Sequence, residues 1–175
     1  NGTGSNVVAL QLMTRPYHSI FCAETAHIYV DKCGSPVKMT GCQIRPIATP
    51  DGKLTPELMQ PYLHGFGDQH HSQPRALYIS QCTELGTIYT PEELKRLTDF
   101  AHLNGMYVHM DGARIANACA ALNLSLKELT VDCGVDILSF GGTKNGLMMG
   151  ECVIVFNKDL QPEARFIRKQ SAQLA

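Results

Sequence analysis

The sequence of 175 residues lacks the features that mark several classes of protein. No apolar run approaches the roughly 18 consecutive residues of a membrane-spanning helix, and no signal peptide is visible, so we predict no membrane association. A net charge of -1 leaves no basic excess for binding a nucleic acid. What remains is the composition of a globular protein, 44% hydrophobic and 18% charged, with the length of one ordinary domain.

The sequence also lacks any CxxC pair, although it contains seven cysteines. Most of these cysteines lie in apolar segments, where a free thiol packs as a small hydrophobic side chain. An odd number of cysteines without paired spacing argues against a disulfide framework and against a zinc site. We therefore expect reduced thiols and a cytoplasmic protein.

Short apolar segments alternate with helical patterns along the chain, and neither repeats nor low-complexity stretches interrupt them. Capping signals at Thr55, Thr90 and Ser125 predict three helix starts, each with a glutamate in the first turn. The strand candidates are short and rich in Ile, Val, Tyr or Phe: Ser19–Cys22, Gln43–Ile47, Ala76–Ser80, Met106–Met110, Ile137–Phe140 and Cys152–Phe156. This alternation predicts an α/β fold with a mostly parallel sheet flanked by helices.

A lysine and an aspartate each follow one of the predicted strands. Lys144 lies in SFGGTKNG (Ser139–Gly146), where the glycines allow close backbone approach and give little steric cover. Asp111 lies in HMDGAR (His109–Arg114), 33 residues before Lys144. On local sequence alone, Lys144 can equally be an exposed lysine in a turn, and Asp111 can cap the helix that follows it.

Together the two residues fit pyridoxal 5'-phosphate, which needs an amine for its aldehyde and an anion for its ring nitrogen. Lys144 supplies the amine, and the charge of Asp111 would keep the ring nitrogen protonated. A phosphate site is predicted where a glycine-threonine turn opens a helix at the start of the chain. Its candidate residues are Gly2, Thr3 and Gly4, with a further hydroxyl from Thr143.

Two other side chains are candidates for the same site. His27 can stack on the cofactor ring or move protons near neutral pH, although a lone histidine is more often structural. Arg114 can bind a phosphate or a substrate carboxylate, or it can form a salt bridge on a helix surface. His109 and Asp111 share a strand face, but no third ligand is evident, so we predict no metal site.

Several segments carry a resemblance to a known family. The strongest are HMDGARIANA at His109–Ala118 and SFGGTKNGLMMGE at Ser139–Glu151, with weaker support at Glu24–Ile47 and Thr83–Leu94. On these segments the chain resembles the low-specificity L-threonine aldolases. These belong to the aromatic amino acid β-eliminating lyase group of fold-type-I pyridoxal phosphate enzymes. The resemblance runs from Gly2 to about Ala172.

The resemblance implies a role for each matched residue. Lys144 would carry the cofactor, Asp111 would pair with its ring nitrogen, and His27 would stack on the ring. The resemblance also implies that residues 1–175 are the cofactor-binding large domain, incomplete at both ends, because a full member is about twice this length. The small C-terminal domain would lie outside this sequence. A homo-oligomer, dimer or tetramer, is implied as well.

The activity implied is cleavage of the Cα–Cβ bond of L-threonine or a related β-hydroxy-α-amino acid to glycine and an aldehyde. One departure concerns Gln81–Thr83, where many members have a histidine near the substrate hydroxyl. Two alternatives stay open. The same lysine and aspartate would serve β-elimination from another amino acid, and the chain can also be a non-catalytic fragment or assembly subunit of this fold.

Overall fold

A computed structural model of the protein describes residues 1–174, and a six-stranded sheet runs through its centre. The strands are β1 (His18–Ala23), β2 (Gln43–Ile47), β3 (Gln73–Ser80), β4 (Tyr107–Gly112), β5 (Ile137–Gly141) and β6 (Glu151–Val155). They lie in the order β2-β1-β3-β4-β5-β6, with β1 to β5 parallel and β6 antiparallel at one edge. The predicted α/β fold with a mostly parallel sheet is confirmed.

All six predicted strands are present, and the largest discrepancy is at the start of β3. That strand was expected to begin at Ala76, but it begins at Gln73. The Gln73 N–H donates to the carbonyl of Tyr17 at 2.9 Å, and Pro74 pairs with Ser19 of β1. Proline is disfavoured in strand interiors, so a strand that includes Pro74 was not predicted from the sequence. Only the pairing with β1 shows that this strand begins before Ala76.

Helices cover both faces of the sheet. They are α1 (Gly2–Met13), α2 (His27–Val30), α3 (Ser35–Thr40), α4 (Pro56–Met59), α5 (Pro91–Leu103), α6 (Ile115–Leu122) and α7 (Gln161–Gln170). Helices α3 and α7 pack against α1, which contacts β3 to β6, whereas α5 and α6 contact β4. Two hydrophobic clusters result, one on each face. Within the described part of the chain, every helix falls short of the length and apolar character that a bilayer crossing requires.

The capping signals predict two of three helices correctly. At Thr90 the side chain accepts from the Glu93 N–H while the Glu93 side chain caps Thr90 in return, and α5 follows. The Thr55 side chain caps the short helix α4 in the same way, by accepting a hydrogen bond from the backbone N–H three residues further along. The helix expected after Ser125 is wrong. Its two capping hydrogen bonds form, but residues 126–130 make only turns, and a short 3-10 helix at Val131–Cys133 follows them. A single capped turn is too short to propagate a helix by itself.

The strand order places the carboxyl ends of the strands around one crevice. Strand β2 lies on one side of β1, and β3 and the later strands lie on the other side. The order of the strands in the sheet therefore reverses direction beside β1. In open parallel sheets, ligands bind at such a reversal, outside the carboxyl ends of the strands. His27 follows β1, Glu84 follows β3, Asp111 lies near the end of β4, and Lys144 follows β5. The fold therefore brings these four residues to the carboxyl end of the parallel strands.

Candidate active site

Lys144 and Asp111 line one cavity of about 210 Å³ at this edge. The cavity lies between the first turn of α1, the end of β4 and the loop after β5. Six of the eight residues predicted for the site line it, namely Gly2, Thr3, His27, Asp111, Thr143 and Lys144. The fold thus brings together residues that are more than 100 positions apart in sequence.

The other two predicted residues lie elsewhere. Arg114 lines an adjacent cavity of about 620 Å³, which meets the first cavity at His27 and Lys144. Gly4 lies away from both cavities. Its N–H donates to the Asn1 side chain at 2.8 Å, and a side chain at position 4 would collide with Gln173. The N–H of Gly4 is therefore already used to cap α1.

The carboxylate of Asp111 is buried and accepts three hydrogen bonds. Its Oδ2 accepts from the Tyr78 hydroxyl at 2.7 Å and from the Asn6 amide at 2.8 Å, while Oδ1 accepts from the Ala113 N–H at 2.9 Å. Burial by itself raises the pKa of Asp111, but these hydrogen bonds outweigh burial and lower the pKa below its usual value. Asp111 is therefore ionised at neutral pH, as a partner of a protonated ring nitrogen must be.

His109 lies on the same strand and is fully buried. Its Nε2 lies 2.9 Å from the Ser139 hydroxyl, and its ring packs edge-on against Tyr78. Burial lowers the pKa of His109 to about 4, although the charge of Asp111 acts in the opposite direction. Among residues 1–174, no group of three or more His, Cys, Asp or Glu residues has metal-binding geometry. His109 is thus a neutral neighbour of Asp111.

We predict that His109 makes the protein less stable as the pH falls from 7 to 5. In this range the unfolded histidine takes up a proton, whereas the buried one does not until pH approaches 4. Stability is therefore present above the ordinary pKa of 6.5 and falls below it, by about 2 kcal/mol at pH 5. Urea unfolding of wild type and His109→Gln at both pH values measures this loss.

The comparison with His109→Gln removes the contribution of other groups. His102 acts in the opposite direction, because its hydrogen bond to Asp136 raises its pKa and stabilises the fold as pH falls. That contribution is the same in both proteins and cancels in the difference. An equal pH dependence of unfolding in wild type and His109→Gln would contradict the prediction.

His27 begins α2 and is held from several sides. Its Nδ1 lies 2.6 Å from the Asp31 carboxylate, its Nε2 lies 3.4 Å from Nη1 of Arg114, and its backbone N–H donates to Glu84 at 3.1 Å. A carboxylate at Nδ1 assigns the proton to that nitrogen, so Nε2 carries the free electron pair. His27 lines both cavities, and its Nε2 is suited to accept a proton there.

Close packing fixes the loop that carries Lys144. An added Cβ at Gly141 would lie 2.7 Å from the Cα of Ala113, which follows β4. The end of β5 thus touches the backbone two residues after Asp111, and glycine alone permits this approach. The packing couples the position of the lysine loop to the position of Asp111.

We predict that Gly141→Ala destabilises the protein by about 1–3 kcal/mol, because the new methyl group must push β5 away from Ala113. Gly150→Ala is the matched control in the same loop, since a Cβ there meets only Leu147 at an ordinary 3.5 Å. Thermal and urea unfolding of the two variants measure the difference. Equal stability of both variants would show that the contact at Gly141 does not constrain the loop.

Several residues that line the cavity were not predicted from the sequence. They are Asn1, Ser5, Asn6, Lys32, Ala113, Ser139 and Glu151. Asn6 offers a signal that was available, because it is a polar residue at the start of the apolar run VVALQLM in α1. Tyr78, which reaches Asp111 from β3, offers none, since tyrosine is common in buried strands.

The fold is that of a class of protein, the fold-type-I pyridoxal phosphate enzymes. The structure superposes on aspartate aminotransferase from Thermus thermophilus with a TM-score of 0.72 at 14% identity, covering 99% of this chain and 44% of that one. This likeness concerns the fold alone. The chain belongs to the beta-eliminating lyase family, whose model matches residues 1–174.

Within that family the chain is similar to threonine aldolases. It is 43% identical to the low specificity L-threonine aldolase of Pseudomonas aeruginosa over 176 aligned positions, covering all of this chain and 51% of that protein. The structure superposes on a threonine aldolase of Leishmania major with a TM-score of 0.90 at 33% identity, covering 98% of this chain and 50% of that one. The chain spans about half the length of the curated relatives it matches.

Members of this family and their fold-type-I neighbours use pyridoxal phosphate, and the cavity has the donor set that this cofactor needs. It offers an amine at Lys144, an ionised carboxylate at Asp111 and the N-terminus of α1 at Gly2. The Asn6 Oδ1 atom is buried and has no hydrogen-bond partner within residues 1–174. Since buried polar atoms are nearly always paired, a donor from a bound molecule suits this position.

Proposed function

We propose that the complete protein is a pyridoxal-phosphate-dependent lyase that cleaves the Cα–Cβ bond of L-threonine or related β-hydroxy-α-amino acids, giving glycine and an aldehyde. One observation carries the proposal. Lys144, Asp111 and His27 line a single cavity in a chain that is 43% identical to a low specificity L-threonine aldolase. Residues 1–175 would be the cofactor-binding large domain of this enzyme.

Each residue of the cavity has a task in this proposal. The amine of Lys144 would bind the cofactor through its aldehyde carbon, and the carboxylate of Asp111 would accept a hydrogen bond from its ring nitrogen. The N-terminus of α1, at Gly2 and Thr3, would bind the phosphate through backbone N–H groups and the positive end of the helix dipole. Thr143 would add a hydroxyl from the lysine loop.

When bound, pyridoxal phosphate supplies an electron sink beside the α-carbon of an amino acid. His27 would take the proton from the substrate hydroxyl at Nε2, because its Nδ1–H is held by Asp31. The Arg114 guanidinium lies 3.4 Å from Nε2 and would leave this nitrogen when it binds the substrate. The guanidinium of Arg114, in the adjacent cavity, would bind the substrate carboxylate. The ring of His27 would also stack on the cofactor ring.

A product assay of the complete protein tests this proposal against its main alternative. With L-threonine and pyridoxal phosphate we expect acetaldehyde and glycine in equal amounts. The family also carries the name of β-eliminating lyases, and that reaction on L-cysteine or L-tyrosine would release pyruvate and ammonia together with sulfide or phenol, so a second assay supplies these two substrates. Pyruvate in the second assay, without acetaldehyde from L-threonine in the first, would replace the aldolase by the alternative. Neither product, in a protein that takes up no cofactor, would favour the non-catalytic role.

We propose further that the protein is a cytoplasmic homo-oligomer. All seven cysteines are unpaired thiols, which suits a reducing compartment. Large apolar side chains are exposed next to the site, Tyr29 and Val30 in α2 and Met148 and Met149 in the lysine loop. Exposed apolar side chains of this size are common on interaction surfaces. Light scattering of the complete protein measures the assembly, and a monomer at micromolar concentration would contradict this part of the proposal.

A further inference from the structure

Two buried side chains bind the same oxygen of Asp111. Tyr78 and Asn6 are 0% and 1% exposed, and both donate to Oδ2, while the backbone of Ala113 donates to Oδ1. A carboxylate has roughly four acceptor positions, so these three hydrogen bonds leave about one for a further donor. The carboxylate is therefore held in one orientation from three different directions.

The position of the Tyr78 hydroxyl indicates that it serves Asp111 and not the packing of the core. The ring of Tyr78 belongs to the apolar layer between the sheet and α1. Phenylalanine would fill this volume without needing a hydrogen-bond partner. The hydroxyl donates to Asp111 at 2.7 Å and lies 3.5 Å from the amide of Asn6.

We propose that Tyr78 and Asn6 are positioning residues that orient the carboxylate of Asp111 and leave one of its acceptor positions for the ring nitrogen of the cofactor. This inference rests on the proposed function. Neither residue need touch the reacting atoms. They act through Asp111, by hydrogen bonds that bridge 33 and 105 positions of sequence.

The charge state of Asp111 supports the inference. The hydrogen bonds from Tyr78 and Asn6 are the two strongest influences that lower its pKa against the effect of burial. Other titratable groups pack against Asp111 or share its cavity, and the test must leave them unchanged. They are His109, His27, Lys32, Lys144 and Glu151. Tyr78→Phe alters none of them directly.

The test compares Tyr78→Phe with Tyr89→Phe in the complete protein. Tyr89 is the matched control, because it is also buried and its hydroxyl accepts one hydrogen bond, from the Leu54 N–H at 2.7 Å, outside both cavities. We expect Tyr78→Phe to raise the Kd for pyridoxal phosphate about tenfold in equilibrium dialysis, the effect of losing one hydrogen bond to a charged group. Tyr89→Phe should leave this Kd within about twofold of wild type.

A second measurement needs no cofactor. In protein labelled with ¹³C at aspartate carboxyls, the Asp111 resonance reports its ionisation, and we expect its pKa to rise in Tyr78→Phe and to stay unchanged in Tyr89→Phe. An unchanged pKa and unchanged cofactor affinity in Tyr78→Phe would overturn the inference and leave the proposed function standing. A wild-type protein that binds no pyridoxal phosphate would overturn the proposed function and, with it, the role of Tyr78 toward a ring nitrogen.

Discussion

Lys144→Ala is expected to abolish both the activity of the complete protein and the yellow colour that pyridoxal phosphate gives when it is bound to a lysine. The amine at position 144 is the proposed point of attachment, so the variant has no group to bind the aldehyde carbon. The side chain is exposed, and removing it should change stability by no more than about 0.5 kcal/mol. Visible spectra of purified wild type and variant measure the effect.

Lys32→Ala is the control for this experiment. Lys32 is the other lysine of the cavity, and the proposal assigns it no bond to the cofactor. The Lys32 variant should keep its colour and its aldehyde production, whereas the Lys144 variant loses both. A colourless Lys32→Ala variant and a yellow Lys144→Ala variant would show that Lys32 binds the cofactor, and this would refute the assignment to Lys144.

The sheet and the two central residues were predictable from sequence because their signals are local. Each strand is a short apolar run, and the glycines around Lys144 mark a loop in which a lysine has little reason to serve packing. Asp111 and Lys144 then meet because the carboxyl ends of parallel strands share one edge. No long-range contact had to be known to place them together.

The rest of the site depends on contacts that no local pattern encodes. Asn6 and Tyr78 reach Asp111 from α1 and from β3. The sequence marks Asn6 only as a polar residue before an apolar run and Tyr78 only as a common strand residue, and neither pattern indicates a contact with Asp111. Gly4 looked like part of a phosphate turn, yet the side chain of Asn1 takes its N–H. The capping box at Ser125 also failed to predict a helix, since its hydrogen bonds form around a single turn that does not propagate.

Asp111→Asn is expected to reduce kcat/KM of the complete protein by on the order of 10²-fold or more, because it removes the charge that stabilises a protonated ring nitrogen. The variant also loses stability. The amide can present an oxygen to only one side, so at least one of the donors Tyr78, Asn6 and the Ala113 N–H faces an NH₂ group instead. An unpaired buried donor costs about 1–3 kcal/mol.

Asp136→Asn separates these two effects. Asp136 is equally buried, and its carboxylate accepts from the Val108 N–H and the Asn157 amide, each at 2.7 Å, and lies 2.9 Å from Nε2 of His102, but it lines neither cavity. Both variants should be destabilised to a similar degree in urea, because each leaves a buried donor facing an amide. Only Asp111→Asn should lose activity in excess of its loss of folded protein. If the two variants retain activity in proportion to their stability, Asp111 is a structural carboxylate at the end of β4, and the ring nitrogen must be held by another group.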